Sequence, residues 1–312
     1  MRILYLGTPD IAVAPLEQLH ALGHTIVGVV TQPDRPAGRK RVLTAPPVKL
    51  AAERLGLPVF QPETLKDAAA VDDLRSLAPD VGVVAAYGEI LRRNVLEIPP
   101  LGYLNIHPSL LPLYRGPAPV TGAIMAGDSL VGVSIIRLTA KMDAGPILAQ
   151  ATLRLDPAAR AGELTAELMR QGGALLAEAL APYAAGELAP REQDHGAATY
   201  TQLLSKADGT IDWGHPAIII ERMTRAYDPW PGAVTTASDQ PLKIISARVV
   251  ARWTGEEPIG TVLRDGAGAI LVATGSGALE LLSVQPAGKR PMSADEWLRG
   301  LRDLPRLGDP AD

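Results

Sequence analysis

The chain has no cysteine, which excludes disulfides, thiolate metal sites and a cysteine nucleophile, and fits a reducing compartment. It has a single Phe and only 4% aromatic residues, too few for the base-stacking platform that sequence-tolerant single-strand binders use. No run approaches the roughly 18 apolar residues that a spanning helix requires. The opening MRILYLG has neither a signal-length apolar stretch nor a small-residue cleavage site. The expectation is a soluble, cytoplasmic protein without a membrane partner. A net charge of −4 argues against indiscriminate coating of nucleic acid, though not against a local basic surface. His20, His24, His107, His195 and His215 show no ligand spacing, so no metal is expected.

What is present suits about two domains: 312 residues, 47% of them hydrophobic. Apolar strands at residues 2–6, 24–30, 58–60, 80–86 and 102–106 alternate with helical stretches ending near 22 and covering 48–55 and 68–77. That alternation predicts an α/β fold with a doubly wound, mostly parallel, Rossmann-like sheet. Residues 81–86, VGVVAA, are apolar on both faces, as a central parallel strand requires. Thr8 or Asp10 is expected to cap the first helix. The first turn reads Gly7, Pro9 and Ala12 where a dinucleotide fingerprint has glycines, and Pro9 lacks the N–H a pyrophosphate would need. A nicotinamide or flavin site is therefore not expected.

Further on, a helix at 118–126, strands at 132–138 and 147–155, and a helix at 163–185 complete the first domain, placed at residues 1–188. Leu164, Leu168, Leu175, Leu176 and Tyr183 form a stripe on the last helix that reads as core. Residues 189–206 are polar and irregular, and are assigned as a linker. Residues 207–312 carry a helix at 216–227 and short strands near 232–236, 242–250, 260–264, 269–274 and 279–285 with glycine-rich turns. This predicts a small OB-like β-barrel.

Two stretches carry chemistry. The loop from Thr31 to Lys49 holds Arg35, Arg39, Lys40, Arg41 and Lys49 against the single acid Asp34, and its prolines argue against regular structure. It is either a solvated loop or a site for an anionic partner. The second stretch is the strand ending at Pro108. Side chains alternate along a strand, so Asn105 and His107 share a face at the end where open α/β sheets hold ligands. An amide that polarises a carbonyl beside an imidazole suits acyl or formyl transfer, while the bland alternative is a polar strand end.

The continuation of this motif, Ser109-Leu-Leu-Pro112, Tyr114-Arg-Gly116 and then Asp143-Ala-Gly145, resembles the folate-dependent formyltransferases. The resemblance implies Asn105, His107 and Asp143 as catalytic residues and 10-formyltetrahydrofolate as donor. It places Tyr87, Gly88, Ile90 and Leu91, with Ser109, Leu110, Leu111 and Pro112, around one folate cleft. Gly7-Thr-Pro-Asp10, Gln32 to Arg39, Tyr227 to Gly232 and Gln285 to Met292 are similar to members of that family that act on methionyl-tRNA. They imply initiator methionyl-tRNA as acceptor, contacted by Arg35, Arg39, Lys40 and Arg41; a monomer is expected. The chain departs from those members at Lys40, Arg41 and Leu113. Rival readings are a formyltransferase acting on an amino-sugar nucleotide or glycinamide ribonucleotide, a non-enzymatic nucleic-acid binder, and a serine hydrolase through Ser109. The last lacks a G-x-S-x-G elbow.

Overall fold

The computed structural model describes residues 1–38 and 41–308. The chain divides into two compact units, the first comprising Met1–Pro119, Leu130–Arg154 and Thr165–Thr201, and the second Val120–Ser129, Leu155–Leu164 and the chain from Gln202.

The first unit is built on β1 (Arg2–Gly7), α1 (Val13–Ala21), β2 (Thr25–Val30), β3 (Arg35–Ala37), β4 (Val42–Thr44), α2 (Pro47–Arg54), β5 (Val59–Phe60) and α3 (Ala68–Ser76). It continues through β6 (Val81–Ala85), α4 (Arg93–Leu96), β7 (Tyr103–His107), α5 (Pro119–Ala126), β8 (Leu130–Arg137), β9 (Ile147–Arg154) and α6 (Ala161–Ala184). Two of these helices, α5 and α6, begin or run on in the second unit. The seven-stranded sheet has the order β5-β2-β1-β6-β7-β8-β9. Pairing from β5 through β7 is parallel, and β8 and β9 add antiparallel. This is the mostly parallel, Rossmann-like sheet expected from the alternation of strands and helices.

The pleat sends alternate residues to two cores. Ile3, Tyr5, Val81, Val83, Leu104 and Ile106 pack with Leu16 and Leu19 of α1, Val48 of α2 and Leu176 of α6. Their neighbours Leu4, Leu6, Val84 and Tyr103 pack with Val71 and Leu74 of α3 and Val95 of α4. Both faces of β6 are covered, so all five of its residues are buried. Leu164, Leu168, Leu176 and Tyr183 of the α6 stripe are buried, and Leu175 is partly so.

Two local expectations need correction. No side chain caps α1 or the short 3-10 turn Asp10–Ala12 before it; the Thr8 hydroxyl instead donates to the Tyr87 carbonyl at 2.8 Å. The loop after β2 is not wholly irregular, because β3 and β4 pair as a small antiparallel ribbon. Pro36 is tolerated there because each strand of a two-stranded ribbon has an open edge.

The second unit has an antiparallel sheet of β10 (Ala233–Ala237), β11 (Gln240–Val249), β12 (Val262–Arg264), β13 (Ile270–Ala273), β14 (Ala278–Pro286) and β15 (Met292–Ser293), with α7 (Ala217–Ala226) and α8 (Ala294–Arg299). Its path is β10-β11-β14-β13-β12. The two edges do not stay open: Leu307 bridges to Ala237 of β10, and Arg306 to Thr261 just before β12. The sheet is thereby closed towards a barrel around Trp213, Ile220, Ile244, Val272, Leu281 and Trp297. No described helix is long and apolar enough to cross a membrane.

Candidate active site

β7 lies inside the sheet, its Asn105 in register with Val84 on one side and Ile136 on the other. Asn105 is half-buried and lines a cavity of about 300 Å³. The wall of this cavity also includes Tyr87, Gly88, Ile90 and Leu91 after β6, and Leu138, Lys141, Met142 and Asp143 between β8 and β9. Gly88 has φ of 96° and Ala86 of 50°, so the chain turns sharply where β6 ends and presents backbone to the cavity. Thr8 holds this turn through Tyr87. Glu89 ties it to the loop between β5 and α3, accepting from the Thr64 hydroxyl at 2.7 Å and the Leu65 N–H at 3.1 Å. Burial, reinforced by the charge of Glu89, pushes the Tyr87 phenol upward and keeps it neutral. Ile90 is 72% exposed, an apolar side chain left open at the mouth of the cavity.

His107 is buried. Its Nε2 lies 3.0 Å from the Tyr114 carbonyl. A carbonyl oxygen only accepts, so Nε2 carries the proton and Nδ1 is the basic nitrogen. Nδ1 faces Asp143 Oδ1 at 3.8 Å, close enough to bond after a small closing movement once Nδ1 is protonated. The other oxygen of Asp143 accepts from the Gly116 N–H at 2.7 Å. Asp143 sits at φ of 47°, a left-handed conformation that Asp tolerates better than most residues. Asn105, His107 and Asp143 thus come together at one end of β7.

The Ser109–Pro112 stretch is placed differently. Ser109 is buried and donates to the Leu113 carbonyl at 2.7 Å. Ser134 of β8 donates to the Ser109 carbonyl at 2.6 Å and accepts from the Leu111 N–H at 3.1 Å. Gln150 of β9 donates to the Leu111 carbonyl at 2.9 Å. Leu110 packs where a side chain at Gly132 would stand. None of Ser109, Leu110, Leu111 and Pro112 is among the residues lining the cavity; they brace the loop that carries Tyr114.

In the basic loop, Arg35 is ion-paired with Glu63 at 2.7 Å, and Lys49 with Asp34 at 2.9 Å. The Gln61 amide and Lys49 together hold the Asp34 carboxyl below the usual carboxylate range. Arg41 is exposed, while Arg39 and Lys40 lie outside the described residues. Of the expected cations, Arg35 is therefore half-committed and Arg41 open to solvent.

Sequence reasoning missed Leu138, Lys141 and Met142 on the cavity wall, although they flank Asp143 and adjacency alone would have found them. It also missed Ser134, whose signal was a polar residue inside an apolar strand. Gln193, buried beside the site, gave no signal of that kind, and Arg115, equally buried, stood inside the Tyr114-Arg-Gly116 motif without a role assigned to it.

The Formyl transferase family model matches residues 1–180, and the Formyl transferase, C-terminal domain model matches residues 203–302. A methionyl-tRNA formyltransferase of Herpetosiphon aurantiacus is 70% identical over 307 residues, covering 98% of this chain and 100% of that protein. One from Chloroflexus aurantiacus is 63% identical over 311 residues, covering 99% and 100%. Among solved structures, an N-formyltransferase from Helicobacter canadensis, in complex with folinic acid and dTDP-3-aminofucose, shares the fold with a TM-score of 0.68 at 16% identity, covering 91% of this chain and 98% of that one. HypX from Aquifex aeolicus, in complex with tetrahydrofolic acid, gives 0.64 at 18% identity over 96% of this chain and 47% of its own. With both parts of the chain matched and full-length relatives at such identity, the convergence of Asn105, His107 and Asp143 has its context: this chain belongs to the formyl transferase family.

Proposed function

We propose that this chain transfers the formyl group of 10-formyltetrahydrofolate to the α-amino group of initiator methionyl-tRNA. The observation that carries this reading is the meeting of Asn105, His107 and Asp143 at the mouth of β7, with Asn105 and Asp143 on the wall of the cavity. The donor supplies a formyl carbon on a nitrogen leaving group. The cavity would take its flat ring system, with residues 87–91, Leu138 and Met142 on its wall and the apolar Ile90 exposed. Ser109–Pro112 would support the cleft by bracing the loop beside it.

When the amine adds, negative charge develops on the formyl oxygen, and the Asn105 amide is the donor placed to meet it. The amine must shed a proton, and Nδ1 of His107 is the nitrogen free to take it. Asp143 Oδ1 would then stabilise the imidazolium, while its Oδ2 stays anchored on Gly116. As the adduct collapses, the bond between the formyl carbon and the folate nitrogen breaks and that nitrogen takes the proton from His107. Arg35, Arg39, Lys40 and Arg41 would meet phosphates of the tRNA, and the identity of the full-length relatives supports that acceptor over an amino sugar.

The test is to incubate the protein with 10-formyltetrahydrofolate and, separately, initiator methionyl-tRNA, an amino-sugar nucleotide and glycinamide ribonucleotide. Formylation of the tRNA is expected. Replacement of Asn105 or His107 by Ala should lower its rate by about two or more powers of ten. Turnover on a small acceptor alone would refute the tRNA reading.

A further inference from the structure

Residues 191–201 follow the sheet as a polar segment with little regular structure, yet they are stitched to the site. Arg191 exchanges two backbone hydrogen bonds with Ile147, at 2.7 and 2.8 Å. Arg115 N–H donates to the Thr199 carbonyl at 2.9 Å, and Thr201 N–H to the Arg115 carbonyl at 2.8 Å. Between these two anchor points stands Gln193, 6% exposed. Its Nε2 donates to the carbonyls of Asp143 at 2.8 Å and Gly145 at 2.6 Å. Its Oε1 accepts from Arg115 Nε at 3.1 Å and Nη2 at 2.7 Å.

Every neighbour dictates which way round that amide sits. Carbonyl oxygens only accept and a guanidinium only donates, so a flipped amide would oppose like to like at both ends. Arg115 is itself 2% exposed and has no carboxylate partner among the described residues. Besides Gln193 it meets His195 Nδ1 at 2.9 Å and the Tyr200 hydroxyl at 3.1 Å. A buried cation that meets only neutral acceptors and the ring face of Tyr200, 5.7 Å away, is uncommon, and its evident product is a locked Gln193 amide. What that amide grips is the left-handed turn at Asp143, a conformation that surrounding structure must impose. With its carbonyl held by Gln193 and one carboxylate oxygen by Gly116, Asp143 keeps its other oxygen turned to His107.

We propose that Gln193, oriented by Arg115, is a positioning residue: it sets the Asp143 carboxylate against His107 without touching either substrate. This rests on the reading of Asp143 and His107 as the acid–base pair, and it makes the segment before residue 201 part of the catalytic apparatus.

Gln193→Glu is the informative variant. It keeps an oxygen for Arg115, so the buried guanidinium stays partnered, but it puts an acceptor where two carbonyls need a donor. A displacement of about 1 Å at a catalytic group costs roughly 100-fold. The expected result is therefore a 10- to 100-fold loss in kcat with the Michaelis constants for folate and acceptor within about twofold of wild type. The decisive step is a double-mutant cycle with Asp143→Asn. If Gln193 acts through Asp143, Gln193→Glu should cost little further once the carboxylate is gone. Equal fold-losses in both backgrounds would overturn the proposal, as would a loss confined to the Michaelis constants. Gln193→Met, of similar length and without donors, carries the same cycle if the glutamate variant does not fold. All four proteins are measured with whichever acceptor the wild type formylates, so failure of the tRNA reading and failure of the Gln193 role are seen separately.

Discussion

Gly145 offers a perturbation whose size can be read from geometry. An alanine Cβ there would stand 1.8 Å from the backbone carbonyl oxygen of Arg137, whereas real Cβ atoms essentially never come within 3.0 Å of another atom. The gap must open by about 1.2 Å, and because the obstacle is backbone, no side chain can swing away to relieve it. Arg137 N–H donates to the Pro146 carbonyl at 2.9 Å, so the movement pulls on the ladder between β8 and β9. Gly145 also presents one of the two carbonyls that Gln193 holds, so Asp143 two residues earlier moves with it. Overpacking of this kind costs about 1–3 kcal/mol, which for a domain of roughly 150–250 residues lowers Tm by about 2–4 °C per kcal/mol. The catalytic loss should be larger in proportion: a 1 Å error at a catalytic group corresponds to about 100-fold in rate. Single-turnover formylation and a thermal melt on Gly145→Ala test both numbers together. A variant that melts several degrees lower yet formylates within twofold of wild type would refute the idea that the Asp143 turn has to be held in place.

Leu176→Ala, at a fully buried site on α6, should cost about 2–5 kcal/mol in denaturant unfolding with no direct effect on the chemistry. Asp34 has its carboxyl lowered by Gln61 and Lys49; its contribution is therefore present above the ordinary carboxylate pKa and lost as pH falls through the depressed folded value. Asp34→Asn should be less stable than wild type near pH 6, and the difference should shrink as pH falls from the ordinary carboxylate range through the depressed folded value. Replacing Arg39, Lys40 and Arg41 together by Ala should flatten the log–log salt dependence of tRNA binding by about 0.7–0.9 for each phosphate that is no longer neutralised. Donor affinity should be unchanged, and an unaltered slope would make the loop a solvated surface.

How far the sequence was legible depended on how local each signal was. The sheet was readable because β1, β2 and β6 are continuous apolar runs, and such runs declare strands buried on both faces. Asn105 and His107 were readable as a pair because two residues along one strand share a face whatever surrounds them. Asp143 was promoted only by its order in a motif. Nothing in its own surroundings distinguished it from a turn-forming Asp, since the hydrogen bonds that fix it come from Gly116 and Gln193. Gln193 was invisible for the same reason: it lies in a polar stretch without periodicity, and its partner Arg115 is 78 residues away. The ribbon of β3 and β4 was hidden by Pro36 and its basic neighbours, which argue for loop until a facing strand is available.

The seam at residues 306–307 gives the second unit an order of events. Ala237 and Thr261, at opposite edges of its sheet, both wait for partners that are synthesised after every other strand of that sheet. Until residue 307 has left the ribosome, the end of β10 and the start of β12 lack these partners, although Thr210 already bridges to Val234 of β10, and open edges are templates for association with other chains. Closure at such long sequence separation is slow compared with local hairpin formation. The exposed interval is therefore a property of the topology, and the nascent chain, more than the finished protein, is where this unit is vulnerable to aggregation.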